Sequence, residues 1–317
     1  MSPAAGRLDV FLNPRANRGG AGKAWPSVGA ALRETWAQVR VWTGETAADV
    51  APQVADAIGQ GATCLAAAGG DGTLQLVLDA VMAAHGQGLA VGAVHLGAIG
   101  LGTSNDFHKP VGEAPQVAGV PCRLNPAAAR PRDVIRLEAT LPSGTVLVHH
   151  LLQASHAGTI PAANHRLTRQ KSLANRLYPY WYSGALMLAS AQEVFTYPGF
   201  TARVEAGPHR WEGEFSGMSL LKQRFVAGSF TFLTPRTPYD GLLDFALCRK
   251  VSAWRLIGLI DAFEKQGMRG HPEVEFAEVT EVTARFDAVQ PIDFDGELID
   301  LSVARWKILP GGVSFLG

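Results

Sequence analysis

The sequence predicts an α/β plus β fold, in which a parallel, helix-layered N-terminal domain is followed by a mainly antiparallel β domain. Its 317 residues exceed what one compact core usually organises and suit two. Up to residue 99 short apolar runs alternate with helical spacing, and from about Arg132 the pattern changes to short strands separated by turn signals.

Residues 8–12 read as a strand ending in Asn13-Pro14. Residues 15–23, with Gly19, Gly20 and Gly22 beside two arginines and a lysine, read as a positively charged glycine-rich loop. A helix over 24–36, a strand over 39–42, a helix over 47–58 and a strand over 63–67 follow, the last running into Gly69-Gly70-Asp71-Gly72-Thr73. Leu74, Val77, Leu78 and Val81 give residues 74–84 a helical spacing, and 89–99 is strand material again. Recurrence of strand, glycine turn and helix implies a parallel sheet.

In the second half, strands are expected over 134–139, 146–152, 200–205, 215–220, 225–233 and 242–248, with helical interruptions over 167–193 and 253–266. The boundary falls near 125–131, giving an α/β domain over 1–127 and a β domain over 128–305. The C-terminal tail, about 306–317, is a candidate to return to the first.

Hydrophobic residues make up 47% and charged residues 18%, enough apolar surface for folded cores. Lys plus Arg equals Asp plus Glu at 28 each, so no global field favours nucleic acid, and anions must be bound by local geometry. Cys64, Cys122 and Cys248 lack any paired or metal-ligand spacing and read as reduced thiols. His149, His150 and His156 lack a spaced third ligand, which excludes zinc. Residues 1–7 lack a signal pattern, and the most apolar stretch, 88–102, is short and carries His95, so a cytoplasmic protein is expected, at most peripheral to the inner face of the membrane.

The chemistry concentrates in three segments. Gly69 to Thr73 lies between a strand and a helix, so its backbone N–H groups can face phosphate oxygens at a helix N-terminus, and Asp71 can hold Mg²⁺ through water. A tight turn with Asp71 as helix cap is the plainer alternative. Leu101-Gly102-Thr103-Ser104-Asn105-Asp106-Phe107 supplies a second glycine turn, and the two could clamp one triphosphate. Asp293-Phe294-Asp295-Gly296-Glu297, taken alone, reads as an Asp-Gly hairpin.

Together, in this order and at these spacings, the three segments resemble the diacylglycerol kinase catalytic domain shared with sphingosine, ceramide and bacterial lipid kinases. Further landmarks are Asn13-Pro14, Thr43 after Trp42, Asp133 after Arg132, and the run from Pro235 to Asp240-Gly241-Leu242-Leu243-Asp244. The resemblance implies a Rossmann-like nucleotide domain related to NAD kinases and phosphofructokinases, a C-terminal antiparallel β-sandwich that takes the lipid, and ATP between them. It places Asn13, Thr43, Gly69, Gly70, Asp71, Gly72, Thr73, Thr103 and Asn105 around ATP, and Asp71, Asp106 and Asp133 around catalytic Mg²⁺. Glu297 becomes the general base, with Asp295, two residues earlier on an extended segment, positioning it. A second, structural Mg²⁺ falls on Asp240 with the carbonyls of Thr237 and Leu242.

The match departs at Leu76, where the family has glutamate, at Gly100, where it has proline, at Ser104, and in the stretch 228–232. Arg166, Arg169, Lys171 and Arg176, followed by Tyr178-Pro179-Tyr180-Trp181-Tyr182, make 165–182 a candidate for contact with an anionic membrane surface, against the plainer reading of a solvated helix. The expected function is phosphorylation of a lipid hydroxyl, with an NAD kinase-like enzyme or a catalytically inactive nucleotide- or lipid-binding protein as alternatives. The oligomeric state stays open, a homodimer among the options.

Overall fold

A computed structural model of the chain describes residues 4–88, 94–109, 115–168, 172–178, 180–226 and 230–317. The chain divides into two compact units, one of Met1–Val134 with Pro310–Gly317, the other Ile135–Leu309.

In the first unit the elements run β1 (Ala4–Leu12), α1 (Gly20–Thr35), β2 (Trp36–Thr43), α2 (Ala47–Gly59), β3 (Cys64–Gly69), α3 (Asp71–Gly86) and β4 (His95–Gly100), then a ribbon of β5 (Gln116–Val117) and β6 (Val120–Arg123). β1 pairs in parallel with β2 and β3, and β3 with β4, giving the order β2-β1-β3-β4. β3, Cys-Leu-Ala-Ala-Ala-Gly, is buried along its whole length, as a central parallel strand must be. Ala21, Val28 and Leu32 of α1 pack with Leu8, Val10 and Leu12 of β1. A capping box between Thr46 and Asp49 starts α2.

Helix α1 begins earlier than its apolar spacing suggests. Gly19, at φ 83, is its N-cap, and Gly22 N–H donates to Pro14 O at 3.1 Å, so the expected glycine loop contracts and residues 20–23 become the first turn.

The chain enters the second unit along β7 (Arg130–Thr140), which pairs antiparallel with β8 (Val146–Leu151). After β9 (Ala154–Gly158) come α4 (Thr159–Thr168), α5 (Leu173–Leu177) and α6 (Tyr182–Thr196), then β10 (Phe200–Ala206) and β11 (His209–Leu221). The short pair β12 (Phe225–Val226) and β13 (Phe230–Thr231) precedes β14 (Leu243–Arg249), α7 (Ala253–Lys265), β15 (Val274–Val279), β16 (Glu281–Phe294) and β17 (Glu297–Phe315). The main order is β15-β14-β11-β10-β16-β17, antiparallel throughout. The end of β17 lies in the first unit, where Ser314 and Phe315 pair in parallel with His95 and Leu96 of β4.

β9 and β10 share one lane of this sheet. β10 lies between residues 209–215 of β11 and 282–286 of β16, while β9 lies between residues 217–221 of β11 and 292–294 of β16. Gly158, ending β9, pairs with Gly217, and Phe200, starting β10, pairs with Phe215, so the three helices leave and re-enter the same lane.

Three expectations change here. The helical stretch 167–193 is three helices, broken where Ser172 caps α5. The strand over 225–233 is a two-stranded ribbon, of which residues 227–229, including Gly228 and Ser229, lie outside the described residues. Within the unit, the strands of the anticipated sandwich, the β12–β13 ribbon apart, belong to one continuous hydrogen-bonded sheet, and Ile135, Leu137 and Leu151 of β7 and β8 share a core with Val204, Phe245 and Trp306. All three cysteines are buried and free, and burial pushes the Cys122 thiol up to about 12 and that of Cys248 to about 11, which leaves them unreactive.

Candidate active site

In the first unit the candidate nucleotide residues gather at the carboxyl ends of β1, β2, β3 and β4. The order β2-β1-β3-β4 reverses direction between β1 and β3, and an open α/β sheet binds its ligand outside such a point. Asn13 stands there, its N–H bonded to Ala68 O at 3.0 Å and its Oδ1 accepting Arg15 N–H at 3.0 Å. Thr43 ends β2, its carbonyl held by Gln53 Nε2 at 2.9 Å.

Gly70 is the N-cap of α3 and provides no side-chain cap, whereas Thr46, Ser172 and Ser252 cap α2, α5 and α7. The positive end of a four-turn helix is thereby left to an anion. Asp71 is not the cap of its own helix. Its carboxylate reaches across to the second glycine turn, Oδ2 accepting Asp106 N–H at 3.1 Å and Oδ1 accepting Phe107 N–H at 3.0 Å.

The two turns are in backbone contact. Leu101 N–H donates to Gly69 O at 2.8 Å. A Cβ on Gly102 would collide with the Gly70 Cα and come within 2.8 Å of Asn105 Oδ1. Asn105, at a left-handed φ of 49, staples the turn from inside: its Oδ1 accepts Gly102 N–H at 2.9 Å and its Nδ2 donates to Gly100 O at 3.0 Å. Its amide therefore shapes the loop. Thr103 Oγ1 lies 3.4 Å from Asn17 Oδ1, tying the turn to the loop after β1. Gly100, where the family has proline, packs so closely that a Cβ would be 2.8 Å from Pro121 Cγ, which explains the smaller residue. Leu76 is half-buried on α3.

Of the acidic set, Asp106 pairs with Lys109 Nζ at 2.5 Å, and buried Asp133 accepts Gly311 N–H at 2.9 Å. Beside Asp133, the Arg132 guanidinium stacks on the Phe107 ring, 4.4 Å from its centroid. Among the described residues no three acidic, His or Cys side chains converge closely enough to chelate a metal alone. Carboxylate oxygens are the hard donors that Mg²⁺ takes, and the ion keeps several waters and draws on phosphate for the rest of its shell.

In the second unit Asp295 and Gly296 are the two turn residues of the β16–β17 hairpin, at φ 48 and 93, between the paired Phe294 and Glu297. This corrects the expected placement of Asp295 on an extended segment, because strand periodicity does not run through a turn. The Asp295 carboxylate accepts backbone N–H groups of Leu152, Gln153 and Ala154 at 2.8, 3.1 and 2.9 Å, so it fixes the connection from β8 to β9. Glu297 is exposed, and its carboxylate bonds to no described residue. Asn164 of α4, absent from the sequence-level site, braces the hairpin by donating to Asp293 Oδ2 at 2.8 Å and Gly296 O at 3.1 Å.

Asp240, with the Thr237 and Leu242 carbonyls the candidate second cation site, is instead engaged by an ammonium, that of Lys222. His156 is buried on β9 with Nδ1 3.0 Å from Ser219 Oγ, and no zinc-type cluster surrounds it among the described residues.

Burial pushes His156 down to about 3, and burial followed by the Arg123 charge pushes His108 down to about 4. Both rings stay neutral when folded and take a proton near 6.5 once unfolded, so the unfolded chain binds more protons between these values. Their contribution is complete above about pH 6.5 and is lost as pH falls toward 4, one histidine acting in each unit. Urea midpoints should therefore drop between pH 7.5 and 5, and His156→Gln should flatten that drop; a midpoint indifferent to pH would refute it.

The parallel unit, with its uncapped helix and paired glycine turns, has a helix N-terminus of the kind suited to phosphate, and an antiparallel β unit follows it in the chain. Residues 7–137 match the model of the diacylglycerol kinase catalytic domain. The chain is 28% identical over 300 residues to a protein of Pseudomonas aeruginosa named "probable lipid kinase YegS-like", covering 90% of this chain and 86% of that one. It is 25% identical over 267 residues to one of the same name from Stenotrophomonas maltophilia, covering 84% and 82%. The fold resembles the crystal structure of a diacylglycerol kinase from Bacillus anthracis, with a TM-score of 0.66 at 15% identity over 98% of this chain and 96% of that one. Over residues 7–137 the chain belongs to the diacylglycerol kinase catalytic-domain family.

Proposed function

We propose that the protein is an ATP- and Mg²⁺-dependent lipid kinase that transfers the γ-phosphate to a hydroxyl of diacylglycerol or a related lipid. The observation that carries this reading is the joined pair of glycine turns, bridged by Asp71, at an uncapped helix N-terminus. Such a cradle binds a polyphosphate through backbone N–H groups. Asp71, Asp106 and Asp133 would hold Mg²⁺, partly through water, and the ion when bound neutralises phosphate charge.

Glu297 accepts the proton of the substrate hydroxyl as that oxygen forms its bond to the γ-phosphorus and the bond to the β-phosphate oxygen breaks, releasing ADP. Nothing competes for its carboxylate among the described residues, and the hairpin carrying it is braced by Asp295 and Asn164. Leu173, Tyr180 and Trp181 are 58%, 89% and 65% exposed, which supports contact with a membrane surface through 165–182, although Arg166 is paired with Glu193. Arg169, Lys171 and Pro179 lie outside the described residues. No described helix is long and apolar enough to cross a membrane.

The test incubates the protein with labelled ATP, Mg²⁺ and mixed micelles of diacylglycerol, sphingosine, ceramide and phosphatidylglycerol, with NAD in a parallel tube. Label in one lipid, lost on chelation, is expected. Label in NAD moves the protein to the NAD kinase branch, and no label in any acceptor favours a binding protein.

A further inference from the structure

The segment joining β13 to β14 is a loop without regular structure, rich in polar side chains, and it needs something to fix it. The family resemblance supplies a divalent cation there. This chain has Lys222, directly after β11, with its backbone N–H held by Gln153 O at 2.8 Å and its side chain fully buried. The ammonium donates to Asp240 Oδ1 at 2.5 Å and to Leu242 O at 2.8 Å. These are two of the three oxygens expected to ligate the ion.

The rest of the Asp240 carboxylate is also engaged. Oδ1 accepts Leu242 N–H at 3.1 Å, Oδ2 accepts Thr237 N–H at 2.9 Å, and Arg236 Nη1 lies 3.6 Å from Oδ2. Burial works to raise the Asp240 carboxyl, and the hydrogen bonds from Lys222, Thr237 and Leu242 outweigh it, holding it below its usual value.

Magnesium or calcium would need these oxygens at roughly 2.0 to 2.6 Å, which is the volume the Lys222 nitrogen fills. A buried ammonium cannot share that volume with a second cation, since both would be repelled with little water to screen them. Nor can it withdraw without leaving its charge unpaired in the interior.

We propose that Lys222 is a covalently attached replacement for the structural divalent cation, so that the β13–β14 loop of this chain holds its shape without metal. The inference concerns the second unit alone and is independent of which acceptor is phosphorylated.

The experiment follows thermal unfolding of the full chain in chelator, in Ca²⁺ and in Mg²⁺, for the wild type, Asp240→Asn and Lys222→Met, with metal content measured by elemental analysis after dialysis. The expected result is no Asp240-dependent rise in the wild-type midpoint and no Asp240-dependent equivalent of metal. Lys222→Met should unfold several degrees lower in chelator and recover part of the loss on adding Ca²⁺ or Mg²⁺, because the vacated oxygens can then take an ion. A wild-type midpoint raised by either ion, with the rise abolished in Asp240→Asn, overturns the proposal, as does one equivalent of metal lost with the same substitution. Should Lys222→Met fail to fold, these wild-type and Asp240→Asn comparisons decide the question by themselves.

Discussion

Replacing Glu297 with Gln is expected to lower turnover by about a hundred- to ten-thousand-fold, the usual range for a general base, while ATP affinity and thermal stability stay at wild-type values. The amide keeps the size of the side chain and removes only its basicity. Glu297 is exposed and its carboxylate bonds to no described residue, so no described contact depends on that group. Asp295→Ala provides the contrast. It strands three backbone donors at Leu152, Gln153 and Ala154, and should destabilise the protein by about 1–3 kcal/mol. Steady-state kinetics, calorimetric ATP binding and thermal scans on both variants separate a chemical role from a structural one. Equal loss of ATP binding and turnover in Glu297→Gln would remove it from the role of base.

Gly102→Ala carries the second large effect. The new methyl would meet the Gly70 Cα, and neither backbone can retreat: Leu101 is tied to Gly69, and Asn105 staples the turn at Gly102 and Gly100. Overpacking of this kind costs about 1–3 kcal/mol and opens the two turns that are to grip the phosphates. Nucleotide affinity should fall by about tenfold or more, as each 1.4 kcal/mol is a factor of ten. Gly86→Ala, at the far end of α3 with open space around its Cβ, is the matched control and should be neutral or slightly stabilising. If Gly102→Ala binds ATP as the wild type does, the two turns do not act as one cradle.

The parallel unit was legible because its signals are local: apolar runs, glycine turns and helical spacing each fix one element, and their alternation fixes the sheet. What escaped depended on tertiary context. β9, Ala-Ser-His-Ala-Gly, is buried on both faces and so shows no alternation, and the start of α1 is hidden inside a glycine-rich stretch. At the site, the motif glycines and acids could be named from order and spacing, but not what each carboxylate touches. Asp71 bridges two turns and Asp295 fastens a neighbouring connection, contacts that join residues 35 to 143 positions apart. Lys222 was invisible for the same reason, since a single lysine in sequence reads as a solvated surface group until its burial is seen.

The shared lane of β9 and β10 also bears on how such a protein can diversify. Residues 159–196 form a detour whose entrance and exit meet in line, so they can be lengthened, shortened or exchanged while β11 and β16 keep their registers. Asn164 is the stitch from this detour to the hairpin of Glu297. Selection can therefore rewrite much of the detour as an interchangeable cassette, provided that stitch and the packing of Ile160 and Val194 are kept, without renegotiating the sheet that carries Glu297.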